Sequence, residues 1–162
     1  MATDVNQYLG NPLLKKANVP VEFTKEQIEE YQKCMGDPVY FIQEYMKIVS
    51  LDEGLVPFKM YDFQQNMVQT FHDNRFTICK LPRQSGKSTT IIAYLLHYVL
   101  FNQNVNVAIL ANKSSTARDI LGRLQLGYEN LPKWLQQGVV SWNKGSLDLE
   151  NGSSILAAST SA

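Results

Sequence analysis

Apolar side chains recur at helical spacing early in the chain, and two polar signals mark where the helices begin. Thr24, followed three residues later by Gln27, has the pattern of a capping box and predicts a helix start. Asp37 directly before Pro38 predicts a second helix, with Asp37 as its N-cap and apolar residues continuing at helical spacing to about residue 50. The sequence therefore predicts a pair of helices near the N-terminus.

The rest of the chain alternates between strand-like and helix-like patterns. Apolar runs typical of strands occupy residues 76–81 and 105–111, and the second is interpreted as buried on both faces and hence parallel. Helical spacing predicts helices over residues 61–72 and 87–101, and another from Ser114 or Ser115 onward. A β-meander is predicted over residues 139–158, with turns at Asn143-Lys144-Gly145 and Asn151-Gly152.

This order of elements predicts an α/β fold, in which the first half of a parallel sheet carries an antiparallel addition. We expect an extended arm over residues 1–22, a helical hairpin over 23–58 and the core over 59–162. The helix at 87–101 is apolar nearly all round, so we expect it to lie between the sheet and the helical hairpin. The run ending in Asp52-Glu53 is interpreted as a helix end in a loop, and not as an acidic metal-binding strand.

The candidate chemistry lies in the loop before the helix at 87–101. Gly-Lys-Ser between a strand and a helix is typical of a phosphate-binding loop, where backbone N–H groups and the helix dipole attract phosphates. Lys87 would contact the β- and γ-phosphates, Ser88 would ligate Mg²⁺, and Gly86 allows a close approach of the backbone. The usual first glycine is replaced by Leu81, and a plain helix N-terminus with a surface lysine is the alternative. The loop reads Leu81-Pro82-Arg83-Gln84-Ser85-Gly86-Lys87-Ser88-Thr89.

Two further features have weaker interpretations. Gln64 stands where P-loop motors of the helicase kind carry a glutamine that reads the adenine edge, and the alternative is a solvent-facing glutamine. Lys113, Arg118 and Arg123 are candidates for contact with a phosphate backbone. We prefer a solvated helix face, on which Asp119 pairs with Arg123.

The composition of the chain narrows the classes of protein to which it can belong. The 15 basic and 15 acidic residues give a formal net charge of zero, so no overall field favours nucleic acid or an anionic membrane. The apolar run at 91–101 is too short to span a bilayer, and the N-terminus lacks a signal-peptide pattern. Cys34 and Cys79 have no metal-binding spacing and indicate reduced thiols. We therefore expect a protein that is neither secreted nor bound to a membrane.

These residues resemble a known family, the large terminase subunits of tailed phages, and most closely the contractile-tail type. The resemblance covers about residues 11–159, and the Arg83-Gln84 form of the loop, without its first glycine, is a mark of that family. The matching segments are residues 61–64, 81–89, 109–113, 142–146 and 150–155. The resemblance implies a partial P-loop NTPase fold of the helicase or RecA-like kind, with an N-terminal helical segment and a C-terminal β-meander.

The resemblance also implies roles for single residues. Arg83 would act in cis as an arginine finger on the γ-phosphate, beside Lys87 as the other catalytic cation. Ser88 would be the metal ligand, and ATP and Mg²⁺ are the implied cofactors. The implied cofactor-binding residues are Gln64, Gln84, Ser85, Gly86, Lys87, Ser88 and Thr89.

In this family the motor acts on double-stranded viral DNA with the portal protein and the small terminase subunit, in the host-cell cytoplasm. The family's acidic Walker B strand and its nuclease domain would follow residue 162. We therefore expect this chain to bind ATP–Mg²⁺ but to hydrolyse little ATP alone, and to self-associate, adopt a modified sheet or be part of a longer product. A helicase-like translocase and a non-catalytic interaction module are the alternative functions.

Overall fold

The computed structural model describes residues 6–50 and 52–160 and confirms an α/β fold. The helices are α1 (Lys25–Gly36), α2 (Pro38–Tyr45), α3 (Asp62–Asp73), α4 (Lys87–Phe101) and α5 (Ser114–Glu129). The strands are β1 (Gln7–Tyr8), β2 (Asn11–Lys15), β3 (Lys47–Ser50), β4 (Gly54–Pro57), β5 (Asn106–Ala111), β6 (Val139–Trp142), β7 (Ser146–Leu149) and β8 (Ser154–Ser159). The main sheet has the order β5-β8-β7-β6, and β1–β2 and β3–β4 are separate hairpins.

Short-range hydrogen bonds begin the first two helices as the sequence predicts. The Oγ1 of Thr24 accepts from the Gln27 N–H at 3.2 Å, and the Gln27 Oε1 accepts from the Thr24 N–H at 3.1 Å. The Oδ1 of Asp37 accepts from the Tyr40 N–H at 2.9 Å. These contacts satisfy N–H groups that the first turn of a helix leaves unpaired, so local chemistry defines both helix starts.

The main sheet joins a parallel pair to the predicted meander. Strand β5 pairs with β8 in parallel, and β8–β7 and β7–β6 are antiparallel. The prediction that β5 is buried on both faces is wrong, because Ile109 is buried whereas Leu110, on the opposite face, is more than half exposed. Helix α5 packs against β5 and β8 on one side only. The pattern of apolar residues predicts the strand correctly but not how many of its faces are covered.

The apolar run at residues 76–81 does not form the strand that the sequence predicts. Within the described parts of the chain it has no regular structure and pairs with no strand. Phe76 is 82% exposed and Ile78 is 97% exposed. A strand requires a hydrogen-bonding neighbour in addition to apolar residues, and the sequence pattern reports only the residues.

The segment 23–58, predicted as a helical hairpin, is helical only as far as Tyr45. The chain then forms the antiparallel hairpin β3–β4, in which Ile48 lies opposite Val56. Its turn includes Asp52-Glu53, and Gly54 adopts a φ of +72°. The β-branched Ile48 and Val56 suit paired strands, so this pairing prevails over the helical spacing of the apolar residues.

The predicted extended arm, residues 1–22, is attached to the core around Leu14 and Lys15; residues 1–5 lie outside the described residues. Leu14 is only 2% exposed and belongs to a buried cluster with members from all three predicted segments. The Nζ of Lys15 lies 3.2 Å from the Oε1 of Glu150, and the Lys15 N–H donates to the Oε1 of Gln136 at 3.1 Å. These partners are distant in sequence, so local patterns do not reveal the attachment.

Helix α4 packs against α2 of the helical hairpin, as predicted, but its other main neighbours are α3 and α5 and not the sheet. The rings of Phe41 in α2 and Phe101 in α4 meet edge to face, with centroids 5.4 Å apart. On α5, a Cβ at Gly127 would lie 2.8 Å from the Met46 Cε and 3.3 Å from the Leu96 Cδ2, so α4 and α5 approach closely there. Among the described residues, every helix is too short or too polar to cross a bilayer.

Acidification is expected to destabilise the fold through His97, which is only 2% exposed. Its Nε2–H donates to the Cys34 carbonyl at 2.9 Å, a bond that either the neutral or the charged ring can make. Burial lowers the pKa of His97 from 6.5 to about 4, so the unfolded chain binds a proton that the folded protein excludes. The folded state is thus favoured above pH 6.5, and this contribution, about 3 kcal/mol, is lost as the pH falls towards 4.

Urea unfolding of the wild type and of His97→Gln between pH 7 and pH 4 measures this effect. The glutamine amide keeps a donor for the Cys34 carbonyl and does not titrate, so its stability should fall less steeply. Carboxylates contribute equally to both proteins and cancel in the difference. Parallel pH profiles for the two proteins would show that His97 does not titrate in this way.

Candidate functional site

The loop before α4 has the backbone shape of an anion-binding turn. Gln84 and Gly86 both adopt the left-handed conformation, with φ values of +61° and +76°. Gly86 is the N-cap of α4, and its carbonyl accepts the first helical hydrogen bond from the Thr90 N–H at 3.0 Å. The N–H groups of the first turn of α4 are thus available at the loop, where the helix dipole also favours negative charge.

A cavity of about 240 Å³ lies at this loop. Six of the predicted cofactor-binding residues line it together with one residue of α5, and the set contains two cations and no carboxylate. A larger cavity of about 550 Å³ beside α1 contains none of the predicted site residues. We regard the smaller cavity as the functional one because its charge and backbone suit an anion. Its lining residues are Gln84, Ser85, Gly86, Lys87, Ser88, Thr89 and Arg123.

The side chain of Lys87 folds back onto the loop that precedes it. Its Nζ donates to the carbonyl oxygens of Pro82 at 2.7 Å and Leu81 at 3.2 Å. The Oγ of Ser85 also donates to the Pro82 carbonyl, at 3.0 Å. The ammonium group is thereby held within the loop, because the two carbonyl oxygens accept hydrogen bonds from it.

Gln64 lies against the same loop. It is 3% exposed, and its Oε1 accepts from the Tyr61 N–H at 2.9 Å, which helps to cap α3. A Cβ built on Gly86 would lie 2.5 Å from the Gln64 Nε2. The interpretation of Gln64 as a solvent-facing glutamine is therefore wrong. The adenine-reading role stays a prediction, since in this structure the amide oxygen is occupied by the backbone of α3.

Ser88 and Arg83 are both exposed at the loop. Ser88 borders the cavity and offers one hydroxyl oxygen, whereas Arg83 is not among the residues that line it. The described residues contain no group of three or more acidic, histidine or cysteine side chains arranged to hold a metal ion. A single hydroxyl suits Mg²⁺, which usually takes one or two protein ligands and fills its shell with phosphate and water oxygens. The arginine-finger role of Arg83 stays a prediction.

Arg123 is the site residue that the sequence interpretation misses. We expected it on the solvent face of α5, paired with Asp119, but no such ion pair forms among the described residues. Arg123 is exposed on α5, as expected, and it also borders the cavity of the phosphate-loop residues. Gly127, one helical turn further on, is a signal that was available in the sequence, because a glycine inside a helix often marks close packing against a neighbour.

Comparison with known proteins identifies the fold and the family of this chain. The fold is similar to the crystal structure of the HK97 bacteriophage large terminase, with a TM-score of 0.63 and 20% sequence identity. The match covers 79% of this chain but only 28% of the HK97 protein, and at this identity the likeness shows the fold alone. The family described as "terminase large subunit, T4likevirus-type, N-terminal" matches residues 78–162, more than half of the chain. The chain therefore belongs to the T4-like type of terminase large subunits, whose N-terminal region it contains.

Proposed function

We propose that this chain binds ATP with Mg²⁺ at residues 81–89 and supplies the nucleotide-binding part of a motor that packages viral DNA. The observation that carries this proposal is the left-handed Gly86 at the start of α4, a helix of 15 residues, inside a cavity with two cations and no carboxylate. Exposed N–H groups, a helix dipole and fixed cations together favour a polyphosphate.

Each residue has a separate part in this proposal. The bound phosphates replace the Leu81 and Pro82 carbonyls as partners of the Lys87 ammonium. The Ser88 hydroxyl is one ligand of Mg²⁺, which neutralises charge on the phosphate oxygens when bound. Arg83, at the exposed rim, is proposed to stabilise charge on the γ-phosphate. We assign no residue to the activation of water, since no carboxylate lines the cavity in the described part of the chain.

The partners are proposals of the same kind. Family membership supports action on double-stranded viral DNA with a portal protein and a small terminase subunit. The host-cell cytoplasm as the place of action stays a prediction. The chain spans less than a third of the HK97 large terminase, so these partners are proposed for the motor as a whole. Self-association of this chain stays a prediction.

Titration of a fluorescent ATP analogue in the presence of Mg²⁺ tests the nucleotide site. We expect saturable binding by the wild type and a loss of at least about tenfold in affinity for Lys87→Ala, because a charge-assisted contact to phosphate is removed. Lys80→Ala is the matched control, since Lys80 is an exposed cation of the same segment but does not line the cavity. Absence of binding at millimolar analogue, or equal affinity in Lys87→Ala, would refute the proposal and favour a non-catalytic interaction module.

A further inference from the structure

We propose that Arg123 is a second phosphate-binding cation of the nucleotide site, supplied by α5 and not by the loop. The proposal rests on the ATP-binding function proposed above and adds one residue to it. The starting observation is that, among the residues that the structure describes, Arg123 alone lines the cavity at the loop from outside segment 84–89.

Close packing of α5 against α4 places Arg123 near the loop. A Cβ built on Gly127 would lie 3.3 Å from the Cδ2 of Leu96 in α4. One turn earlier on both helices stand Arg123 and Ile92, and these two residues border a common cavity of about 300 Å³ together with Thr89. The two helices therefore run in the same direction, and α5 holds Arg123 beside the first turn of α4.

The guanidinium of Arg123 is free for a ligand. Arg123 is exposed, and it has no hydrogen bond or ion pair within the described residues. It borders two cavities, one at the loop and one beside β3, and neither is lined by a carboxylate. A cation that forms no ion pair among the described residues, next to exposed N–H groups of a helix start, is suited to bind an anion.

The chemistry of Arg123 differs from that of Lys87. The ammonium of Lys87 is already held inside the loop by two carbonyl oxygens. The planar guanidinium of Arg123 would approach the phosphate chain from the side of α5 and donate two parallel N–H bonds to its oxygens. In this arrangement the phosphates are contacted by two separate elements, so bound nucleotide would link the loop to α5.

Binding of the fluorescent ATP analogue with Mg²⁺ to Arg123→Ala and Arg123→Lys tests this inference. We expect Arg123→Ala to bind about tenfold more weakly than the wild type, because one bidentate phosphate contact is lost. Arg123→Lys should recover part of the affinity, since it retains the charge but not the planar fork. Arg118→Ala is the matched control, because Arg118 is exposed on the same helix but lines a different cavity. The melting temperature of each variant should remain that of the wild type.

The outcomes separate the two proposals. If the wild type binds, Lys87→Ala does not, and Arg123→Ala matches the wild type, then Arg123 is not a phosphate ligand and the ATP-binding function stands. If Arg118→Ala weakens binding as much as Arg123→Ala, the effect is general electrostatics, and the specific contact is refuted. If the wild type shows no binding, both proposals fail.

Discussion

Replacement of Gly86 by alanine is expected to abolish binding of the ATP analogue while most of the fold is retained. Gly86 has a φ of +76°, in the left-handed region where an L-residue is strained by about 1 kcal/mol or more. The new Cβ would also lie 2.5 Å from the Nε2 of Gln64. Gln64 is unable to move aside freely, because it is 3% exposed and its Oε1 is bonded to the Tyr61 N–H. The loop must therefore turn, and its N–H groups lose their common direction towards the phosphates.

Gly54→Ala is the matched control for this variant. Gly54 has nearly the same φ, +72°, but no atom lies within 4 Å of its added Cβ, and it is the first residue of β4 and does not line the cavity at the loop. It should lose about 1 kcal/mol of stability from backbone strain, yet bind the analogue like the wild type. Analogue titration together with urea unfolding measures both properties. Gly86→Ala with wild-type affinity would show that the left-handed turn is not required for binding.

The starts of the first two helices and the extent of α4 follow from short-range chemistry and were predictable, whereas the end of α2 was not. The Thr24–Gln27 capping box, the Asp37 cap and the apolar spacing of residues 87–101 each involve neighbours within one or two helical turns. The meander was predictable for the same reason, since Asn151-Gly152 joins two strands through a tight turn. The loop at 81–89 was likewise located from its own residues and the run of apolar residues after it.

Features that depend on partners distant in sequence were not predictable. The run at 76–81 has the composition of a strand, but whether it pairs depends on which edge lies beside it. Apolar residues keep helical spacing to about residue 50, yet the match of Ile48 with Val56 forms a hairpin. Arg123 reaches the candidate site only because α5 packs closely on α4 at Gly127. In each case the deciding contact is tertiary.

Gly138 lies where the chain after the β1–β2 hairpin contacts the core, and Gly138→Ala is expected to destabilise the protein strongly. A Cβ at this position would lie 2.5 Å from the Ala17 Cα and 2.6 Å from the Glu150 Oε2. Both atoms are held by hydrogen bonds. The Ala17 N–H donates to the Val139 carbonyl at 3.2 Å. The Glu150 carboxylate accepts from the N–H groups of Gly138 at 2.6 Å and Asn18 at 2.9 Å. Burial raises the pKa of Glu150, but these N–H groups and Lys15 outweigh burial and leave the pKa below its usual value, so the carboxylate is held in its charged form.

The overpacked Gly138→Ala variant should therefore lose about 3 kcal/mol of unfolding free energy, and its melting temperature should fall by roughly 10 °C. Gly122→Ala is the matched control: Gly122 lies inside α5 with no atom within 4 Å of its added Cβ, and alanine there should stabilise the helix by about 0.5–1 kcal/mol. Urea unfolding of both variants shows whether the free energy of unfolding falls in Gly138→Ala and rises in Gly122→Ala. Equal stability of the two would mean that the hairpin contributes nothing to the folded state, contrary to the burial of Leu14 and the ion pair between Lys15 and Glu150.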